Sequence, residues 1–101
     1  MNIQKLMKQA QQAQAQMHAV QEELANQTVE ASAGGGMVKV VMSCDRNLKS
    51  ITIDPDAVDP EEVELLEDMI FAAVTEASRN AEATAQAKMD EVTGGLNIPG
   101  M

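Results

Sequence analysis

The chain has 101 residues, of which 45% are apolar, and sixteen acidic against seven basic residues give it a formal net charge of −9. Its length indicates one domain, and its apolar content excludes a disordered acidic tail. With one phenylalanine and no tryptophan or tyrosine, the core has to come from aliphatic side chains, which favours a second subunit that supplies part of the burial.

Few residues suit catalysis, metal binding or membrane insertion. The single histidine, His18, is far in sequence from the single cysteine, Cys44, whereas a structural zinc site takes four such ligands. No metalloprotease, serine-hydrolase or phosphate-loop motif is present, and the longest apolar run, residues 69–74, is too short for a membrane span. We expect a cytoplasmic, non-enzymatic protein without a metal, cofactor or small-molecule substrate.

Residues 1–26 predict one long amphipathic helix. At about 1.5 Å per residue it is roughly 39 Å long, so it outruns a small sheet and part of it is expected to project. Packing along its own domain is the alternative. His18 falls beside the apolar stripe and is predicted to lie on the surface. The stripe follows alternating spacings of three and four, a heptad seam, and consists of Ile3, Leu6, Ala10, Ala13, Met17, Val20 and Leu24.

Residues 28–53 predict a three-stranded antiparallel meander. Strands are expected over residues 28–33, 37–44 and 48–53, because apolar and polar residues alternate there. The triple glycine at 34–36 forms the first turn. Asp45, Arg46 and Asn47 form the second. One face of the middle strand is apolar and carries Val38, Val40, Met42 and Cys44.

A second helix is expected from Asp59 to Thr93. Asp59 fits the N-cap, with Pro60 in the first turn and Glu62 completing a capping box, and Gly94 fits the C-terminal stop. The segment 69–74 is apolar around most of the helix, so one side is expected to face the sheet and another a second subunit. The predicted dimer interface is Met69, Ile70, Phe71 and Val74.

The alanine-rich second half of this helix is expected to pair with the first helix as a projecting arm. The two helices then run antiparallel, with Ala10 and Ala13 against Ala81 or Ala85. The fold class is therefore α+β, in the order helix, three-stranded meander, helix. Residues 1–95 form one domain, and residues 96–101 form a short C-terminal tail.

Charge is distributed unevenly along the chain. Residues 1–21 carry Lys5 and Lys8 and no acidic residue, residues 22–74 carry a net charge of −9, and residues 75–101 carry −2. An acidic body keeps a small protein soluble, and it disfavours nucleic acid, which is bound through basic surfaces. Charge alone therefore favours protein–protein interaction over DNA binding.

Three segments together resemble the bacterial YbaB/EbfC family of nucleoid-associated proteins. They are the turn and strand 34–40, the strand end 51–55 and the ending 94–101. The long second helix, with Ala72, Ala73, Val74 and Ala77, is similar as well. The resemblance implies a tweezer-shaped homodimer, associated with the nucleoid, that binds double-stranded DNA with little sequence preference through projecting helices. On this chain it implies DNA contacts by Lys5, Lys8, Arg79 and Lys88.

Two of these cations have purely structural alternatives. In these alternatives, Lys88 only balances the acidic residues near it, and Arg79 pairs with Glu76 or Glu82 on its own helix. The alternative function is a helical-arm adaptor or chaperone-like protein-binding module, which resembles prefoldin in the order of its elements. Prefoldin-like arms need sustained heptads in both helices, and the apolar segment 69–74 interrupts that pattern in the second.

Overall fold

A computed structural model describes residues 2–95 of the chain, with side chains up to residue 92. The predicted tail 96–101 lies outside the described residues. The fold is the predicted α+β arrangement of helix, meander and helix, and its extents are 71 × 24 × 16 Å. Its elements are α1 (Ile3–Asn26), β1 (Thr28–Ala33), β2 (Val38–Ser43), β3 (Leu48–Ile53), a 3-10 turn (Pro55–Ala57) and α2 (Val63–Gly95).

The sheet is an antiparallel meander with the strand order β1-β2-β3. Across it, Ala31 lies opposite Val40, and Val40 lies opposite Ile51. All three glycines of the first turn have positive φ, from 64° to 93°, a region that glycine enters without a steric cost. The alternation of the strands and the glycine turn thus produce the predicted antiparallel meander.

The main core lies between α2 and the inner face of β1 and β2. Ala73, Ala77 and Ala81 are fully buried there, against Val38 and Val40, which are also fully buried. Because alanine adds little thickness, the helix backbone approaches the sheet closely over more than two turns. This contact fixes the direction in which α2 leaves the sheet.

A second, smaller cluster anchors the C-terminal end of α1. Val20 and Leu24 pack with Cys44 at the end of β2. The Cys44 N–H donates to the carbonyl oxygens of Leu24 at 3.1 Å and Gln27 at 2.8 Å. Burial raises the pKa of the Cys44 thiol, so this cysteine acts as a small apolar side chain at the junction of the two elements.

The turn between β2 and β3 is held by its own side chains. The Ser43 hydroxyl donates to the Asp45 carboxylate, and this bond is the main reason that the pKa of Asp45 lies below its usual value. Arg46 adopts a left-handed backbone conformation with φ 69°. Its guanidinium pairs with Glu82 of α2 at 3.3 Å, which links the turn to the helix.

The predicted start of the second helix is wrong by several residues. The Asp59 carboxylate accepts from the Glu61 N–H, and the Glu62 N–H donates to the Asp59 carbonyl, both at 2.9 Å. Asp59 thus closes a turn with Pro60 instead of capping a helix, and α2 begins at Val63. At its other end the helix runs two residues past Thr93, through Gly95.

Alanine substitutions at Gly34 and Gly35 test how α2 packs on the first turn. A Cβ on Gly34 would collide with the Met69 thioether, whereas a Cβ on Gly35 would meet nothing within 4 Å. Both residues have positive φ, which costs an L-residue about 1–2 kcal/mol. We predict that Gly35→Ala loses about that much stability in urea unfolding and that Gly34→Ala loses more. Equal losses would contradict this position of Met69.

Candidate nucleic-acid interface

The N-terminal half of α1 extends beyond the other elements of the described chain. The two helices are antiparallel, with Lys88 Nζ 3.1 Å from a Glu23 carboxylate oxygen and with Val92 packed against the cluster that contains Val20. Counting outward from the Glu23–Lys88 pair, residue 16 is level with the described end of α2 at Gly95. Residues 3–15, here called the distal arm, therefore extend about 20 Å further.

The predicted pairing of Ala10 and Ala13 with Ala81 or Ala85 is wrong. Ala81 packs on the sheet, and Ala85 packs against the Val20–Leu24 cluster. Because that cluster fixes the end of α1 where α2 leaves the sheet, the seam residues nearer the N-terminus reach beyond α2. On the distal arm, Ile3 is 68% exposed, Leu6 51% and Met7 59%.

Lys5 and Lys8 are both exposed on the distal arm. At 3.6 residues per turn, Lys8 lies on the side of the helix opposite Leu6 and Ala10, and Lys5 lies opposite Ile3. The first turn of α1 contains no acidic residue, and the Asn2 side chain accepts from the Lys5 backbone N–H at 3.2 Å. Because a helix N-terminus carries a positive partial charge, this end of the arm combines that charge with the two lysines.

Lys88 lies at the junction of the two helices and pairs with acidic residues there. Its ammonium lies 3.1 Å from Glu23 and 3.9 Å from Glu91, and its side chain is 26% exposed. The hydrogen bond from Lys88 to Glu23 is the main cause that raises the pKa of the lysine. Lys88 therefore stays protonated, but two carboxylates match its charge, as the structural alternative expected.

Arg79 lies on the part of α2 that covers the sheet. Its neighbour Asn80 donates from its side-chain amide to the Glu30 carbonyl of β1 at 3.5 Å. Glu82, one of the predicted partners of Arg79, pairs with Arg46 instead. Within residues 2–92 no carboxylate lies within ion-pair distance of Arg79, so its exposed guanidinium is a cation on the body, away from the distal arm.

Within residues 2–92, the other polar side chains do not assemble a metal site. His18 is on the surface, as predicted, and lies 3.1 Å from Glu22 one turn along. Among the described side chains, no group of three potential metal ligands comes together. None of the helices in residues 2–95 is long and apolar enough to cross a membrane.

Among the described residues, large apolar side chains are exposed on β3 and on the outer side of α2. The helix packs mainly on β1 and β2, which leaves Leu48 at 48% and Ile51 at 41% exposure on β3. Phe71 is 74% exposed and lies three turns from Glu82, on the side of α2 that reaches the β2–β3 turn. We call Leu48, Ile51 and Phe71 the body patch. The other predicted interface residues, Met69, Ile70 and Val74, are half-buried against the protein's own core.

The sequence profile of the YbaB/EbfC DNA-binding family matches residues 1–96. The chain belongs to this family. A nucleoid-associated protein of Thermoanaerobacter pseudethanolicus is 54% identical over 100 residues, covering 99% of this chain and 90% of that one. Another of Acetivibrio thermocellus is 54% identical over 101 residues, covering 99% and 89%. An uncharacterized protein of Helicobacter pylori shares the fold, with a TM-score of 0.78 at 18% identity over 96% of this chain and 99% of the other.

As a member of the YbaB/EbfC family, the protein has a DNA-binding rather than an enzymatic role. Sequence reasoning named all four candidate cations but missed the Glu23–Lys88 pair, because its partners meet only through the fold. It also missed Leu48 and Ile51 as part of an exposed surface. Period-two alternation shows that Ile51 is on the inner face of the sheet, but it does not show how far the helix covers that face.

The register of the two helices can be tested with one substitution at two alanines. Ala85 packs at the α1 junction, whereas Ala13 on the distal arm is half-exposed. Overpacking costs about 1–3 kcal/mol, so we predict that Ala85→Leu lowers the unfolding free energy by that amount. Ala13→Leu should change it by less than about 0.5 kcal/mol. If Ala13→Leu lowers the unfolding free energy in urea more than Ala85→Leu does, the pairing through Ala13 that the sequence predicts is correct.

Proposed function

We propose that this protein is a homodimer that binds double-stranded DNA in the nucleoid, with little sequence preference, through its projecting arms. Lys5 and Lys8 make the main phosphate contacts, and Arg79 and Lys88 make subordinate ones. The family supports DNA as the partner, and the nucleoid location follows the names of its relatives. The arms, the dimer and the low specificity are our inference.

The distribution of charge is the observation that carries this proposal. The chain has a net charge of −9, yet residues 1–21 contain two lysines and no acidic residue. Phosphate is repelled by the body and attracted by the distal arm, where Lys5 and Lys8 are exposed without a carboxylate nearby in sequence. Lysines near a helix N-terminus oppose the helix dipole in the free protein, and a bound phosphate relieves that repulsion.

Low sequence preference follows from the chemistry of the distal arm. Its charged groups are two lysines, and its other polar side chains are glutamines. Contacts to phosphate position a protein on the duplex without reading bases. Having two lysines per arm also limits affinity, because each phosphate neutralised contributes its own counterion release.

The body patch supports the homodimer. Leu48, Ile51 and Phe71 are exposed large apolar side chains beside a core that contains no buried aromatic residue. Surfaces of this kind mark protein interfaces, and a two-fold axis through the patch would join two bodies and leave both arms free. Leu48 and Ile51 thus extend the interface predicted from Met69, Ile70, Phe71 and Val74.

The dimer can be tested by placing a charge on α2 at two exposed positions. Phe71 lies in the body patch, whereas Leu65 is 53% exposed about a third of a turn away around the helix. A charge buried in an interface without a partner is strongly unfavourable. We predict that Phe71→Asp sediments as a monomer at micromolar concentration while Leu65→Asp keeps the mass of the parent dimer. A dimeric Phe71→Asp variant would exclude this patch.

DNA binding can be tested by reversing two lysines on the arm. We predict that Lys5→Glu with Lys8→Glu weakens binding to two unrelated duplexes equally, as measured by fluorescence anisotropy. For the parent, about four arm lysines per dimer give a slope of roughly −3.6 in a plot of log affinity against log salt, at roughly −0.9 per phosphate contacted. The double variant should lose most of this slope.

The matched control reverses two lysines of the sheet. Lys39 and Lys49 are exposed on β2 and β3, so the same change in charge there should weaken binding much less. If the sheet variant loses binding and the arm variant keeps it, the duplex lies on the sheet. If the parent binds neither duplex at low salt, the helical-arm adaptor becomes the better function, and the exposed Ile3, Leu6 and Met7 are the observation that favours it.

A further inference from the structure

We infer that the distal arms of two separate dimers pair antiparallel through their apolar seam, so that one assembly bridges two DNA segments. The pairing surface is the seam side of the arm, and the phosphate-binding lysines lie on the other side. The bridging step and the two dimers rest on the proposed function, whereas the pairing of two arms rests on the structure of the arm. The seam side of the distal arm consists of Ile3, Leu6, Met7, Ala10 and Ala13.

The seam continues an interface that already exists within the molecule. Further along the same stripe of α1, Val20 is 5% and Leu24 is 7% exposed, because α2 and β2 cover them. Where the described part of α2 ends, the stripe emerges with Ile3 at 68% and Leu6 at 51% exposure. An isolated helical segment of about thirteen residues is marginally stable in water, so a partner helix on this stripe would also stabilise the arm.

The charges of the arm favour a second copy as the partner. Lys5 and Lys8 are its only charged side chains, and both lie away from the seam. Two seams can therefore meet without bringing like charges together, and antiparallel packing sets the two helix dipoles in opposition. DNA does not fit the seam, because a phosphate backbone gains nothing from apolar side chains.

The length of the uncovered segment sets the register. With residues 3–15 of each arm beyond the described end of α2, a two-fold axis falls close to Ala10, where the small side chain allows the helices to approach. The contact is small compared with the roughly 20–30 residues per side of a stable interface. It therefore forms when local concentration is high, which is the condition that a shared DNA molecule provides.

Disulfide cross-linking tests the pairing without DNA. The experiment uses a Cys44→Ala background. In the paired arms, the cysteine of Ala10→Cys lies next to the same cysteine of the second arm, whereas the cysteine of Ala15→Cys lies on the far side of the helix. We predict that oxidation cross-links the Ala10→Cys variant at least tenfold faster than the Ala15→Cys variant, and that the products sediment as four chains or more. Equal rates would overturn the pairing, and a product of two chains only would overturn the joining of separate dimers. Self-cross-linking of Leu6→Cys would overturn the antiparallel direction.

A two-duplex capture assay tests the bridging. Beads carrying one duplex are incubated with the protein and a labelled duplex of unrelated sequence. We predict that the Leu6→Gln, Met7→Gln double variant binds a single duplex in anisotropy with an affinity within twofold of the parent's. On the beads it should retain at least tenfold less labelled duplex than the parent. Lys5→Gln with Lys8→Gln should lose both activities, and circular dichroism checks that each variant is folded.

The outcomes separate this inference from the proposed function. If the seam variant bridges as well as the parent, the seam does not join DNA-bound molecules. If the parent binds no single duplex at any salt concentration, the proposed function fails, and the cross-linking rates alone then decide whether the arms pair.

Discussion

The contact between the alanine face of α2 and the sheet determines the geometry of the whole molecule. Ala73, Ala77 and Ala81 are completely buried against Val38 and Val40, in a protein whose core contains no aromatic side chain. Larger residues at these positions would lift the helix from the sheet, and dispersion contacts along its length would be lost. Because the helix lies flat on β1 and β2, it leaves β3 uncovered and extends past the sheet to meet α1.

The position of the arm follows from that contact through one junction. The Cys44 N–H holds the carbonyl oxygens at the end of α1, and the Glu23–Lys88 pair ties α1 to the part of α2 that has left the sheet. Among residues 2–95, only the last turns of α1 are covered by other elements, so its N-terminal half extends beyond the described end of α2. The acidic body and the lysine-bearing arm are thereby held apart, which is how a chain with a net charge of −9 still offers a surface that attracts phosphate.

Features set by local chemistry were predictable from the sequence, and features set by distant contacts were not. The alternation of polar and apolar residues in 28–53 and the glycines at 34–36 are enough to predict the meander, because both determine the conformation of the nearby backbone. The start of α2 was mispredicted because Asp59 can cap a helix or close a turn, and the two uses have the same sequence pattern. The heptad seam shows which side of α1 is apolar. The sequence does not show which residues of α2 lie opposite it, because Ala81 and Ala85 fit that position equally well. Only the junction at Cys44 decides the register.

The central claim is that duplex DNA makes its main contacts with the distal arm and avoids the sheet. Amide chemical-shift changes during titration of the ¹⁵N-labelled protein with a short duplex test it residue by residue. The account predicts the largest changes at residues 3–15, growing as salt is lowered, with the strands 28–33, 38–43 and 48–53 nearly unchanged. Shifts concentrated on the strands, with residues 3–15 unaffected, would contradict it.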